Sequence, residues 1–597
     1  MATEITDPEL EQASWNLEDL VDGQGAAGVE RLLDEAQQLA DAFADRYAGK
    51  VGDLDGPGLE TAMRELERVA DLGGRAGSFA HLDFSVDTQD PARGALVARV
   101  TERSTAIETK LVFFELEWAA IDDDRAEEVL RHPGLDFARH YLRTARRYRP
   151  HLLSEPEEKL MAEKSQTGRS AWGRLFAELM SAVEVDGQPL EVALSRLMHP
   201  DREVRRTTAE AVTEALQPGL RTRAYIFNTL VLDKSVDDRL RNYSSWIQSR
   251  NLSNEASDES VEALVEAVQS RYEIARRWYR LKAKLLGIDR LADYDRIAPV
   301  TEDEQRIEWS DARRMVLESY TAFSPDLGRL AGRFFDERWI DAPVRPRKRG
   351  GAFCAYTVPS AHPYVLLNYT ARRRDVLTLA HELGHGVHAA LAREQGVFQQ
   401  GTPLTLAETA SVFGEELVFG RLLDEAQDAE SRLALLAEAM EGQIATVFRQ
   451  IAMNRFEHAL HTARREEGEL AIERIGELWR ASQEALLGDA VEVTEGYGTW
   501  WSYVPHFVNT PGYVYAYAYG QLLALSVYRR YEDEGESFVP AYLELLRTGG
   551  SKSPEEIGAI VGVDLADPGF WDSGLDLVER QLEAAEAAAR DARGVTP

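Results

Sequence analysis

Apolar residues recur at intervals of three and four along most of this chain, which is the period of an α-helix. The pattern runs through LETAMRELERVADL (59–72), LVARVTERSTAIETKLVFFELEWAAI (96–121) and stretches near 257–286, 429–465 and 574–593. Helices patterned this way must bury one stripe each against a neighbour, so the fold class is mainly α. The last run, LDLVERQLEAAEAAARDAR, is rich in the helix formers Ala and Glu and reads as a terminal helix docked on the surface. HPGLD (132–136), DGQPL (186–190) and HPDRE (199–203) mark turns between helices. At 597 residues the chain exceeds one hydrophobic core, and we divide it into an N-terminal helical region at 1–200 and a region carrying the chemistry at 201–597. One segment, PRKRGGAFCAYTVPSAHPYVLLNYT (346–370), is rich in Gly, Pro and aromatics. Its core from Tyr364 to Tyr369 has strand composition, which predicts a small sheet, a hairpin, beside the helix that follows.

Composition excludes several classes of function. Hydrophobic residues at 44% and charged residues at 28% describe a globular chain. A net charge of −34 repels phosphate backbones and anionic lipid, which argues against nucleic-acid and membrane partners. The single thiol, Cys354, has no internal partner for a disulfide, and MATEITDPELEQASW lacks the basic start and apolar core of a signal peptide. With no run of 18 apolar residues either, the expected location is the cytoplasm.

The helix after the strand segment reads DVLTLAHELGHGVH, with Asp375 placed to cap its start. His381 and His385 are four residues apart, so a helix stacks both imidazoles on one face, where they can share one zinc ion. Glu382 lies about 100° round the helix, beside the metal but not on it, where it can take a proton from a metal-held water. Gly384 and Gly386 each cost about 1 kcal/mol against Ala inside a helix, so their presence predicts close approach by another element. The extended pattern HExxHxxGxxH fails, because His388 and Leu391 occupy the positions of its Gly and last His. A third ligand must come from elsewhere. Glu394 is only nine residues past His385, on the same helix or its end. Glu408 lies on the helix of GTPLTLAETASVFGEELVF (401–419), where the Gly-Thr-Pro start permits an antiparallel return towards the metal. Glu415, two turns further on the same face, is a candidate to orient an imidazole. Glu416 and His388 read as structural.

A second dense region spans GYGTWWSYVPHFVNTPGYVYAYAYG (496–520). Its alternating tyrosines fit a strand, but the helical QLLALSVY that follows favours a glycine-rich loop running into a helix. Tyr513 and Tyr517 then share a face. A phenol or imidazole near a metal can donate to the oxyanion of a tetrahedral intermediate, and His506, Tyr513 and Tyr517 are the candidates. Tyr515 and Tyr519 read as packing residues.

HELGHGVH, the glutamate of AET (407–409) and the HF…GYVYAYAYG block together resemble the thimet oligopeptidase-like zinc peptidases. SWNLEDL (14–20), GGAFC (350–354) and PYVLLNYT (363–370) resemble the oligoendopeptidase F branch of that family. The resemblance implies two helical lobes enclosing a deep substrate channel, and an endopeptidase acting on short peptides because folded proteins cannot enter. Carried over, it implies His381, His385 and Glu408 as ligands of one Zn²⁺ ion, Glu382 as general base, and His506, Tyr513 and Tyr517 as the groups meeting substrate and oxyanion. The better-known mammalian branch has a further tyrosine near the position of Gly520, so which phenol serves the oxyanion is open. The VLLNY strand would offer its edge to the peptide backbone.

Two other readings fit the motif. A helical zinc carboxypeptidase also uses HExxH plus a glutamate, but needs a cation for the terminal carboxylate, and no single arginine identifies itself for that. A non-catalytic scaffold with a vestigial site has no use for Glu382. Neither oligomeric state nor cleavage preference is legible.

Overall fold

The 59–72 pattern lies inside one helix, Gly56–Val86, whose stripe Leu59, Ala62, Met63, Val69, Leu72, Ala76 and Phe79 is buried. Asp55 starts it by accepting the Gly58 N–H at 2.9 Å, with Pro57 in the first turn, where a missing N–H costs nothing. The 96–121 pattern lies in Pro91–Ala120, started in the same way by Asp90. The computed structural model describes residues 7–165, 167–301 and 306–595. It divides into two compact units, each assembled from three stretches of chain. Met1–Arg149, Glu304–Arg421 and Arg530–Asp564 form the first, and Pro150–Asp303, Leu422–Arg529 and Leu565–Pro597 form the second. Helices dominate both units and the strands are few and short. No described helix is long and apolar enough to cross a membrane.

In the first unit, Gly56–Val86 and Pro91–Ala120 pack with Gly25–Tyr47. Their shared core, including Leu32, Ala36, Leu72, Phe79 and Val100, continues into Tyr364 and Leu366 of the expected sheet and Val358 of the loop before them. That sheet has three strands: β1 (Ile340–Pro343), β2 (Phe353–Ala355) and β3 (Tyr364–Tyr369). β2 and β3 form the predicted hairpin, antiparallel with Cys354 opposite Val365, and β1 adds in parallel on the other side of β3. The VLLNY strand is therefore central, paired on both sides, and has no edge to offer. Strand composition is readable from the chain, but a strand's neighbours are not. Among the described residues the open edge next to the hairpin belongs to β2. Lys348 locks the sheet. Its buried ammonium donates to the carbonyls of Pro343 at 2.8 Å and Leu367 at 2.7 Å and pairs with Asp341 at 2.6 Å.

In the second unit, the 429–465 pattern is one continuous rod, with a wider π turn at Ile444–Phe448 joining Ala429–Gln443 to Arg449–Glu467. The 257–286 pattern breaks at Arg271 into Asp258–Ser270 and Tyr272–Leu285. The terminal helix Pro568–Arg593 differs from expectation. It is part of the core, packing on Ala429–Gln443 and Asp258–Ser270 with Trp571, Leu575, Val578, Leu582, Ala585 and Ala589 fully buried. Its alanines let neighbouring helices come close, and its glutamates pair across the contact, Glu579 with Arg271 at 2.6 Å and Glu586 with Arg277 at 3.0 Å. The aromatic segment Gly496–Tyr503 winds as a tight helix over a core containing Phe227, Phe456, Trp479 and Phe507. There the Trp479 indole donates to the Tyr497 carbonyl at 3.0 Å.

Candidate active site

β3 leads into the HELGH helix, Arg373–Ala392, through a turn that Asp375 organises. Asp375 is inside the first turn rather than at the cap itself, and reaches back to accept the N–H groups of Thr370 at 2.6 Å and Arg372 at 3.1 Å. The chain returns as the helix Leu404–Glu425. The two helices approach closely because their contacts are glycines. A Cβ on Gly384 would lie 2.4 Å from the Ala410 carbonyl oxygen of the returning helix, whereas Gly386 faces a third helix, Pro325–Asp336, where a Cβ would lie 2.5 Å from the Phe334 ring. Gly414 makes room for the Tyr320 hydroxyl, which donates to the Ala380 carbonyl at 2.7 Å, one residue before His381.

This packing brings His381, His385 and Glu408 together, with one ligand atom from each lying within 4.8 Å of the others. The Glu408 Oε2 is 3.3 Å from His381 Nε2 and 3.5 Å from His385 Nε2. Ligands about 2.0–2.1 Å from a tetrahedral zinc are separated by about 3.3 Å, so the donor set fits that ion in size, and three protein donors leave a position open. Glu394 sits in the short turn Arg393–Gln395 and is outside this group. The Glu415 carboxylate lies 3.2 Å from His381 Nδ1, the nitrogen turned away from the cluster. The Ser411 hydroxyl donates to Glu408 at 2.7 Å.

The charges favour a cation. Burial opposes a charge on His381, but Glu408 and Glu415 outweigh it and lift the imidazole to about 10. Burial also opposes the charge on Glu408, yet the two histidines and Ser411 hold it down to about 2. His385 goes the other way, to about 4, through burial and the neighbouring His381, against the pull of Glu408. Glu382 is buried, with the backbone N–H of Cys354 from β2 near its carboxylate. Burial pushes it up to about 7, His381 pulls it down and Glu408 pushes it up. A base near neutrality can both take and return a proton. His388 is buried with neither ring nitrogen partnered among the described residues, and burial, with His385 adding, drives it down to about 3. It packs beside Tyr356, ring centroids 6.4 Å apart.

His506, Tyr513 and Tyr517 lie in the second unit and form a cluster of their own. His506 begins the turn His506–Asn509, Tyr513 follows the bend at Gly512, and Tyr517 is in the first turn of Tyr515–Glu534. His506 Nε2 is 3.3 Å from the Tyr517 hydroxyl, and the Tyr513 ring meets Tyr517 edge-on at 5.1 Å. Burial, with Arg449 adding, keeps the His506 imidazole below its ordinary value and so neutral. Tyr513 precedes the helix, so the two phenols meet through the bend and not along one helical face. Tyr515 and Tyr519 are fully buried, and the Tyr515 hydroxyl accepts from Asn254 at 3.0 Å.

Sequence reasoning missed three features: the Cys354 N–H near Glu382, the Ser411 hydroxyl on Glu408, and the buried hydroxyl of Tyr356, which has no partner among the described residues and whose ring lies 6.4 Å from that of His385. Ser411 was readable, three residues beyond Glu408 on one helix face. The other two depend on a strand meeting a helix, and no local spacing reports that.

The chain is similar along most of its length to known peptidases. A family model described as peptidase family M3 matches residues 196–577, and one described as oligopeptidase F matches residues 117–184. Oligopeptidase PepF of Bacillus subtilis is 26% identical over 587 residues, covering 96% of this chain and 87% of that protein. The group B oligopeptidase PepB of Streptococcus agalactiae is 28% identical over 567 residues, covering 92% and 94%. Among solved structures, oligoendopeptidase-F from Enterococcus faecium superposes with a TM-score of 0.70 at 23% identity, over 94% of this chain and 99% of that one, and shares the fold.

Proposed function

Since the chain belongs to peptidase family M3, we propose that it is a zinc-dependent endopeptidase hydrolysing internal bonds of short oligopeptides. The observation carrying this reading is the His381, His385 and Glu408 donor set, with Glu382 one residue from the first ligand. A zinc ion held by these three residues would supply Lewis acidity, lowering the pKa of a water and polarising the scissile carbonyl. Glu382 takes the proton of the attacking water as its oxygen bonds to the carbonyl carbon. Glu382 then passes that proton to the nitrogen as the C–N bond breaks. The open edge of β2 is suited to receive the peptide backbone as an added strand. His506, Tyr513 and Tyr517 are proposed to meet the substrate and donate to the oxyanion, each donor contributing about 10²–10³ in rate. We assign this chemistry to residues 201–597. A cytoplasmic setting belongs to the same proposal.

A quenched-fluorescence peptide blocked at both ends tests it. Cleavage that stops on chelation and returns with added zinc is expected, together with stoichiometric zinc in the purified protein. If the blocked peptide survives while a peptide with a free C-terminus is trimmed from that end, the enzyme is a carboxypeptidase. Absence of zinc and of both activities would leave only a scaffold. Glu415→Ala is expected to weaken zinc binding 10–100-fold, measured by competition with a chromophoric chelator, because it frees His381 Nδ1 from its partner.

A further inference from the structure

Glu457 lies on Arg449–Glu467 in the second unit, 1% exposed. Its Oε1 accepts the Gly512 N–H at 2.9 Å, and its Oε2 is buried without a partner among the described residues. Gly512 has φ +74, and a Cβ there would sit 3.4 Å from Trp246 and 3.5 Å from both Arg250 and Ile247. The bend is therefore held between a carboxyl on one side and the Trp246–Arg250 segment on the other. What it holds is the aromatic cluster. Tyr513 comes next in the chain, its N–H donates to the Thr510 carbonyl at 3.1 Å, and the Thr510 N–H donates to the His506 carbonyl at 2.9 Å. The Arg250 guanidinium lies 5.9 Å from the Tyr513 ring centroid. A buried carboxyl is costly, and this one has no ion pair among the bonds of the described residues, so a packing role alone is better filled by an apolar side chain.

We propose that Glu457 is a positioning residue. By fixing the Gly512 N–H it sets the direction of Tyr513 and, through Tyr513, the arrangement of His506 and Tyr517. This rests on the reading of those three as substrate-facing. Burial pushes the Glu457 carboxyl up to about 8, against the pull of the Gly512 N–H and Arg250, so a glutamine copies the form present near neutrality.

The test is a double-mutant cycle on the zinc-loaded enzyme, with melting temperature and zinc content as controls. Glu457→Met removes the acceptor at similar volume and is expected to lower kcat about 10–100-fold with little change in KM, since a misplaced donor is felt in the transition state. Glu457→Gln keeps the acceptor and should recover most of that loss. Combining Glu457→Met with Tyr513→Phe should cost little more than Tyr513→Phe alone, because both act on one donor. Losses that simply multiply would mark a general structural role and overturn the proposal. So would normal kcat in a folded Glu457→Met enzyme while Tyr513→Phe is impaired, and in that case the substrate-facing reading survives. Normal kcat in Tyr513→Phe itself overturns both. If Glu457→Met does not fold, Glu457→Asp, which withdraws the carboxyl from Gly512, takes its place in the cycle.

Discussion

Replacing Glu382 by Gln is expected to lower kcat on the blocked peptide by on the order of 10²–10⁴ while zinc content stays at the parent level. The substitution changes little else. The side chain keeps its size in a buried setting, and the three metal-ligand candidates are untouched. Only the ability to take up a proton is lost. Removing a ligand instead, as in Glu408→Ala, should abolish activity and zinc together, so the two measurements separate a base from a ligand. Glu382→Gln enzyme working within about tenfold of the parent at full zinc would contradict the general-base assignment, because acid–base catalysis is worth at least about 10².

Gly384→Ala is expected to destabilise the first unit and reduce zinc binding, although local reasoning predicts the opposite. Alanine is favoured over glycine inside a helix by about 1 kcal/mol. Here the new methyl would lie 2.4 Å from the Ala410 carbonyl oxygen and 2.6 Å from the Ser411 Cα, both backbone atoms of the facing helix. Overpacking costs roughly 1–3 kcal/mol even where side chains can shift, and a rigid helix puts this case at the upper end or beyond. The packing loss outweighs the helical gain. Because the contact lies within one turn of Glu408, the helix that yields carries a ligand candidate with it. Gly332→Ala is the control. Gly332 is also inside a helix of the first unit, Pro325–Asp336, and a Cβ there meets nothing within 4 Å. It should raise the melting temperature slightly and leave zinc unchanged. Calorimetry and metal analysis of the two variants decide the matter. A Gly384→Ala protein as stable and as zinc-rich as the parent would show that the helices can separate without consequence.

Several features were determined by the sequence alone. The three-and-four spacing of LETAMRELERVADL required a helix. Putting His381 and His385 on one face needs only the helical repeat, whatever surrounds it. Gly384 and Gly386 announced a close neighbour through their local cost, though they could not say which. Tertiary structure decided the rest. Glu394 and Glu408 were both compatible with the chain, and the glycine-mediated contact between the two helices is what brings Glu408 to the histidines. The same holds for VLLNY, a strand by composition whose central position depends on β1 and Lys348. It holds too for Pro568–Arg593, whose pattern suits a surface helix and whose burial depends on helices far back in the chain. The division has one physical cause. Residues within a turn or a pleat of each other are placed by backbone geometry, which residue spacing records. Residues far apart in sequence meet only where packing offsets the entropy of closing the chain between them, and that balance is settled by the whole fold.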